Sequence, residues 1–181
     1  YLYSDESAHI LKKRFMMETI KHKNALQKLI RKHRQQLQIQ HAFVFQSWND
    51  FYLGSNDFDA KLREVRELYK SDGEFQKYIK QDADFWEKKL DDNQLGFFLE
   101  EHLILYLILH GDIKLRNEYV LGRENWVLQI YPGMPPKGLA YLCQLNPFKL
   151  NTENPYIGQY DPRNKKFYDF TRMNLKTWNY E

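Results

Sequence analysis

One segment near the start of the chain, residues 8–40, restricts most strongly how this sequence can fold. It contains nine Lys or Arg residues and one acid, Glu18. Apolar residues recur in it at the spacing of a helix face, and no Gly or Pro occurs before Gly54. The pattern predicts a helix from Ala8 to Gln38, about 45 Å long at a rise of 1.5 Å per residue. Because this helix is so basic, it cannot be buried on all sides.

The bases of this segment form a stripe that is typical of a surface for polyanions. They are Lys12, Lys13, Arg14, Lys21, Lys23, Lys28, Arg31, Lys32 and Arg34. Residues 50–101, by contrast, hold 14 acids and 8 bases. Nucleic acid is the favoured partner, because phosphates bound by such a stripe release their counterions. The alternative is a solvated helix face that covers the core.

The composition is that of an ordinary globular protein. A chain of 181 residues fits one α/β domain over residues 1–181 and can bury a core without disulfides or metals. Aromatic residues make up 16% of the chain, which argues against disorder. Cys143 is the single cysteine, so a reducing, cytoplasmic setting is expected. No apolar run is long enough to span a membrane.

Helices alternate with a few strands, which favours an α/β layered fold. We expect one helix after residues 55–57, a second after residues 71–73 that reaches Leu90, a third over 97–110 and a fourth over 137–144. Strands are expected over 41–45 and 126–131, with a hairpin formed by 157–160 and 166–170. In the second helix, the residues expected to point inward are Phe75, Tyr78, Ile79, Phe85, Trp86 and Leu90. The turn-rich part from residue 146 onward is expected to pack on the body.

The sequence lacks the common signatures of cofactor and metal sites. It has no Gly-rich phosphate loop and no paired cysteines, so we expect neither a cofactor nor a metal. His102 and His110 are spaced to share a helix face, but without a carboxylate partner they are weak candidates for zinc ligands. Cys143 is interpreted as a small buried residue in preference to a nucleophile.

Several segments occur in an order that resembles one enzyme family. The basic helix is followed by a strand and the turn Ser47-Trp48-Asn49-Asp50. The next segments are a helix reading Phe75-Gln-Lys-Tyr78-Ile-Lys-Gln-Asp82-Ala-Asp84-Phe85-Trp86, an apolar helix reading Leu105-Tyr106-Leu107-Ile108-Leu109-His110, and a strand ending Ile130-Tyr131-Pro132. Over roughly residues 1–145, this order resembles the tRNA-dependent cyclodipeptide synthases, in the branch with proline after the active-site tyrosine.

The resemblance implies a Rossmann-like sheet flanked by helices, related to the catalytic domains of class I aminoacyl-tRNA synthetases. It also implies an aminoacyltransferase that uses two aminoacyl-tRNAs and no ATP. A serine accepts the first aminoacyl group as an ester, the amine of the second aminoacyl-tRNA attacks that ester, and ring closure releases a diketopiperazine. The family's nucleophilic serine is expected in a segment before residue 1, so neither Ser4 nor Ser7 is assigned this role.

The resemblance assigns catalytic roles to three residues. Tyr106 matches the tyrosine that orients the substrate amine, and Tyr131 matches the tyrosine that relays protons during cyclisation. His110 stands where the family has a glutamate, on the same helix face as Tyr106. A neutral imidazole can accept a proton there, with less electrostatic attraction for an ammonium group than a carboxylate has.

Two alternatives to the synthase remain open. The chain would act as a non-catalytic tRNA- or RNA-binding module if it kept the basic helix without the nucleophile. It would act as a protein-interaction domain if the basic helix docked on an acidic partner. Salt-dependent tRNA binding separates the first alternative from the second.

Overall fold

A computed structural model describes residues 24–25, 28, 57–87, 90–113 and 128–178. The chain divides into two compact units, residues 1–48 and 49–181. In the first unit, Asn24, Ala25 and Lys28 are helical and exposed, in agreement with the predicted basic helix. The rest of that helix and the strand predicted over 41–45 lie outside the described residues.

The described part of the second unit combines helices with a small sheet, which confirms the α/β class. Its elements are α1 (Phe58–Ser71), α2 (Gly73–Phe85), α3 (Asp92–Leu109), β1 (Gln129–Ile130), α4 (Lys137–Leu145), β2 (Gly158–Asp161) and β3 (Lys166–Asp169). Strand β1 pairs in parallel with β2, which pairs antiparallel with β3. The sheet is therefore mixed, with β2 in the middle.

A single residue, Asp72, separates α1 from α2. Its backbone amide donates to the carbonyl oxygen of Leu68 at the end of α1. Its Oδ1 accepts hydrogen bonds from the amides of Glu74 and Phe75, at 2.9 and 3.0 Å, and so caps α2. The start predicted for this helix is confirmed.

Helix α2 ends earlier than predicted. Phe75, Tyr78 and Ile79 are buried as expected, but Phe85 and Trp86 are both more than one third exposed. The prediction that these two residues point inward is wrong. The helix stops at Phe85, and Trp86 is its C-cap residue, so the helical periodicity does not continue to Leu90.

Helix α3 begins at Asp92, five residues before the predicted start at Phe97. The reason is Asp91, whose Oδ1 accepts a hydrogen bond of 2.8 Å from the amide of Gln94. At the other end, Gly111 has φ +78° and its amide donates to the carbonyl oxygen of Ile108. The amide of Asp112 donates to the carbonyl oxygen of Leu107, which completes a Schellman motif. The predicted C-terminal signal of Gly111 is confirmed.

The hairpin predicted around residues 161–165 is present as β2 and β3. In the register, Gly158 pairs with Asp169 and Asp161 pairs with Lys166. Of the strand predicted over 126–131, Gln129 and Ile130 are extended and paired, and residues 126–127 lie outside the described part of the chain.

The core lies where α3 packs against α1 and α4. Leu103, Ile104 and Leu107 of α3 are fully buried, as are Leu139 and Leu142 of α4. Burial of each such side chain contributes about 1.5–3 kcal/mol. Within the described segments, no helix is both long and apolar enough to cross a bilayer.

Candidate functional site

One face of α3 carries three polar aromatic residues at intervals of four positions. His102, Tyr106 and His110 therefore lie one above another along the helix. All three side chains are buried. This face packs against α4 and against the segment that follows it, so it lies inside the unit.

The hydroxyl group of Tyr106 has one hydrogen-bond partner in the turn after α4. It donates a hydrogen bond to Oδ1 of Asn146. Asn146 is the C-cap of α4 and has left-handed backbone angles, which asparagine tolerates well. Burial, followed by the proximity of Cys143, raises the pKa of the phenol. Tyr106 is therefore a neutral hydroxyl that ties α3 to the turn after α4.

His110 lies directly beside Tyr106, with the two ring centroids 4.2 Å apart. Its Nδ1 is 3.0 Å from the carbonyl oxygen of Tyr106, so Nδ1 carries the proton and donates. Burial lowers the pKa of His110 below its usual value, and the bond to the carbonyl opposes this shift. The imidazole is consequently neutral at pH 7, with Nε2 as its acceptor atom.

Tyr131 does not join this pair. It follows β1, its side chain is 45% exposed, and its ring meets Trp86 edge-on at 6.1 Å. No ring contact or hydrogen bond links Tyr131 to Tyr106 or His110, all three being described residues. The structure therefore brings together two of the three catalytic candidates. The contact of Tyr131 with Trp86 was not predicted, because Trp86 was expected to point inward.

Of the nine basic residues predicted to bind tRNA, the structure describes Lys28, which is helical and exposed. The other eight lie outside the described residues. They are Lys12, Lys13, Arg14, Lys21, Lys23, Arg31, Lys32 and Arg34.

A buried carboxylate, Asp82 of α2, is the main polar feature that sequence reasoning missed. Its two oxygens accept hydrogen bonds from the amides of Lys137 at 2.8 Å and Gly138 at 2.7 Å. These amides form the first turn of α4, where the helix dipole favours a negative charge. The sequence contained a signal for this buried carboxylate, because helical spacing places Asp82 on the same face of α2 as the apolar residues that point inward.

His102 completes this cluster. Its Nδ1 donates to the carbonyl oxygen of Phe98 at 2.7 Å, which leaves Nε2 as the acceptor in the neutral ring. Nε2 lies 3.5 Å from Oδ2 of Asp82 and is buried without a hydrogen-bond partner. The described residues contain no group of three side chains suited to hold a metal ion.

Cys143 is buried within α4, as the sequence predicted. Burial raises the pKa of its thiol far above the usual range. The thiol therefore stays protonated at neutral pH and is a poor nucleophile.

An open groove of about 510 Å³ lies between α1 and the turn after α4. Its apolar floor includes Val65, Leu68 and Phe148, and its rim includes Arg63 and Glu64. The ring of Phe148 also contacts Tyr106, with the centroids 5.9 Å apart. Phe148 therefore lines the groove and also contacts Tyr106, one member of the buried pair.

No family model, no curated protein and no solved structure matches this chain.

Proposed function

We propose that this chain binds tRNA through the basic stripe of residues 8–40, as a cytoplasmic RNA-binding module. The observation that carries the proposal is the segregation of charge, with nine bases and one acid in that segment. Lys28 supports it, since its backbone is helical and its side chain is exposed. Recognition would be directed at phosphates and would tolerate changes of RNA sequence.

The geometry of the second unit favours binding over catalysis. Tyr106 is fully buried, its hydroxyl donates to Asn146, and its ring contacts the ring of Phe148. Tyr131 is on the surface beside Trp86. A substrate amine would reach Tyr106 only after Phe148 and Asn146 had moved. Such rearrangement is not needed for a module that binds phosphates.

The test is tRNA affinity as a function of salt concentration, measured on the full chain. Replacing Lys28, Arg31 and Arg34 with Gln removes three positive charges from the stripe. If each contacts one phosphate, the slope of log affinity against log salt should fall by roughly 2 to 3. Charged and uncharged tRNA should bind alike.

The matched control removes three exposed charges from α1 and α2, with Lys70, Lys77 and Lys80 replaced by Gln. It should leave the slope within error of wild type. An equal loss in both triple variants would mean that overall charge, and not the stripe, governs binding. Absence of tRNA binding at physiological salt would leave an acidic protein as the partner.

A second candidate is aminoacyl transfer of the cyclodipeptide synthase type, on a Rossmann-like sheet. One observation favours it: Tyr106 and His110 are in ring contact, with His110 neutral and Nε2 able to accept a proton. In that reaction, a serine Oγ attacks the aminoacyl carbonyl carbon and the bond to the tRNA 3′ oxygen breaks. The second amine then attacks the seryl ester and the bond to serine Oγ breaks, and ring closure releases the second tRNA and the diketopiperazine.

A product assay on the full-length protein separates the two candidates. The protein is incubated with a mixture of aminoacylated tRNAs, without ATP, and the products are read by mass spectrometry. A diketopiperazine that disappears in the double variant Tyr106→Phe/Tyr131→Phe would support the synthase. Absence of any cyclic dipeptide, with salt-sensitive tRNA binding retained, would support the binding module.

A further inference from the structure

The small sheet turns an apolar face outward. Ile130, Tyr160 and Phe167 are paired across the three strands, so their side chains lie on the same side. Leu128 precedes Ile130 by two residues and shares that side. Tyr156 meets the ring of Phe167 edge-on at 6.1 Å. We call the five residues Leu128, Ile130, Tyr156, Tyr160 and Phe167 the outer face.

Exposed side chains of this size are unusual on a sheet surface. Ile130 is 62% exposed, and Leu128, Tyr156 and Phe167 are each between 36% and 43% exposed. On the opposite side, Gln159 and Tyr168 are buried against the body of the unit. The outer face is therefore a contiguous apolar and aromatic patch, which is a common property of interaction sites.

The turn of the hairpin brings positive charge to one end of this patch. Arg163 and Lys165 are exposed in the turn. Lys166 lies on the opposite side of β3, where its Nζ is 4.7 Å from the centroid of the Tyr168 ring. A nucleic acid that lay on the outer face and continued past the turn would meet Arg163 and Lys165.

The two acids of the hairpin are engaged within the protein. Asp161 is buried and accepts hydrogen bonds from the amide of Arg163 at 2.9 Å and from Nδ2 of Asn164 at 2.8 Å. Asp169 accepts from Thr171 and lies 3.6 Å from Nε of Arg172. The acids thus shape the hairpin, while its bases face solvent.

From this combination we propose that the outer face binds single-stranded nucleic acid. Exposed aromatic rings stack on bases, and adjacent cations follow the phosphates, which together suit an unpaired strand. Charge complementarity selects this occupant over an apolar peptide, because the turn at one end of the patch carries the exposed bases Arg163 and Lys165. The inference uses no residue of the basic stripe 8–40, so it does not rest on the proposed tRNA function.

The test uses the full chain and a fluorescent 12-nucleotide RNA of mixed sequence containing 4-thiouridine. Tyr156→Ala should weaken binding roughly tenfold, since loss of one stacking ring has an effect of this order. Tyr156→Phe, the matched control, keeps the ring and should bind within about twofold of wild type. Phe167 is left intact, because its ring packs against Gly158.

Cross-linking locates the contact. Trypsin releases residues 150–163 as one peptide containing Tyr156 and Tyr160. Cross-links should appear on this peptide in wild type and Tyr156→Phe, and should be much weaker in Tyr156→Ala at the same RNA concentration. The variant Lys28→Gln/Arg31→Gln/Arg34→Gln should keep them, since it alters only the basic stripe. The stripe variant therefore tests the tRNA proposal and the Tyr156 variants test this inference, so failure of one can be told from failure of the other.

The bases of the turn are tested separately. The double variant Arg163→Gln/Lys165→Asn should lower the salt slope by roughly 1.4, at 0.7 for each single-strand phosphate contact. Asn suits position 165 because Lys165 has φ +52°. Lys70→Gln/Lys77→Gln removes the same charge from α1 and α2 and should leave the slope unchanged.

Either of two results would overturn the proposal. One is equal affinity of Tyr156→Ala and wild type, with no cross-link on residues 150–163. The other is stronger binding of an oligoglutamate peptide than of the RNA, unaffected by Tyr156→Ala, which would identify an acidic protein surface as the partner.

Discussion

Asp82 of α2 caps α4, a helix that begins 55 residues later in the chain, through a 2.8 Å hydrogen bond from the amide of Lys137 to its Oδ1. A helix normally receives its N-cap from the residue just before it, which here is Pro136 and provides no side-chain hydrogen bond. The carboxylate of Asp82 replaces that local cap and joins two helices of the core.

Asp82→Ala should destabilise the second unit by about 2–4 kcal/mol. The substitution leaves the amides of Lys137 and Gly138 buried without an acceptor, and each such amide costs about 1–3 kcal/mol. Urea denaturation of the full chain measures the change. Asp84→Ala, on the exposed side of the same helix, should stay within about 0.5 kcal/mol of wild type. Equal effects of the two variants would contradict the capping role.

Gly138→Ala should destabilise the protein by about 1–3 kcal/mol through overpacking. A Cβ atom at position 138 would lie 2.5 Å from Cδ1 of Ile79 and 3.0 Å from Oδ2 of Asp82. Gly73→Ala is the control, because a Cβ there meets nothing within 4 Å and the helix gains a better former. That variant should be stabilised by about 0.4–1 kcal/mol. In thermal melts, Gly138→Ala should have a lower Tm than wild type and Gly73→Ala should have a higher one.

Tyr106→Phe should cost about 0.5–1.5 kcal/mol, because Oδ1 of Asn146 loses the hydrogen bond that it accepts from Tyr106 inside the core. Oδ1 of Asn146 still accepts from the amide of Leu150 at 3.0 Å, which limits the loss. Tyr131→Phe removes a hydroxyl from an exposed ring and should change stability by less than about 0.5 kcal/mol. A larger effect at Tyr131 than at Tyr106 in urea unfolding would refute this assignment of the two residues.

His110 should make the protein less stable as the pH falls below about 6.5, the ordinary pKa of histidine. Burial lowers its pKa in the folded state, so the unfolded chain takes up the proton first. The free energy of unfolding therefore decreases between pH 6.5 and the lower folded pKa. In His110→Gln, this decrease should be absent. The measurement is the free energy of unfolding as a function of pH for wild type and for the variant, and the difference between the two curves gives the contribution of His110. Identical profiles would mean that His110 titrates alike in both states.

The local signals that the sequence carries were sufficient wherever one residue or one short pattern decides the outcome. Asp72 caps α2, Gly111 ends α3, and the turn between residues 161 and 166 forms the predicted hairpin. Burial of Cys143 was also predicted. Phe85 and Trp86 were assigned wrongly, because a helical pattern of apolar residues does not mark where the helix stops.

The sequence by itself determined the α/β class, the presence and order of the helices in the described region, and the contact of Tyr106 with His110, which follows from their spacing on one helix. Tertiary structure alone decided that Asp82 caps α4, that Asn146 bonds Tyr106, and that Tyr131 lies apart beside Trp86. The physical reason is the range of the interactions. Helical spacing and end caps act over a few neighbouring residues, whereas these contacts join groups up to 55 positions apart and form only when the helices pack.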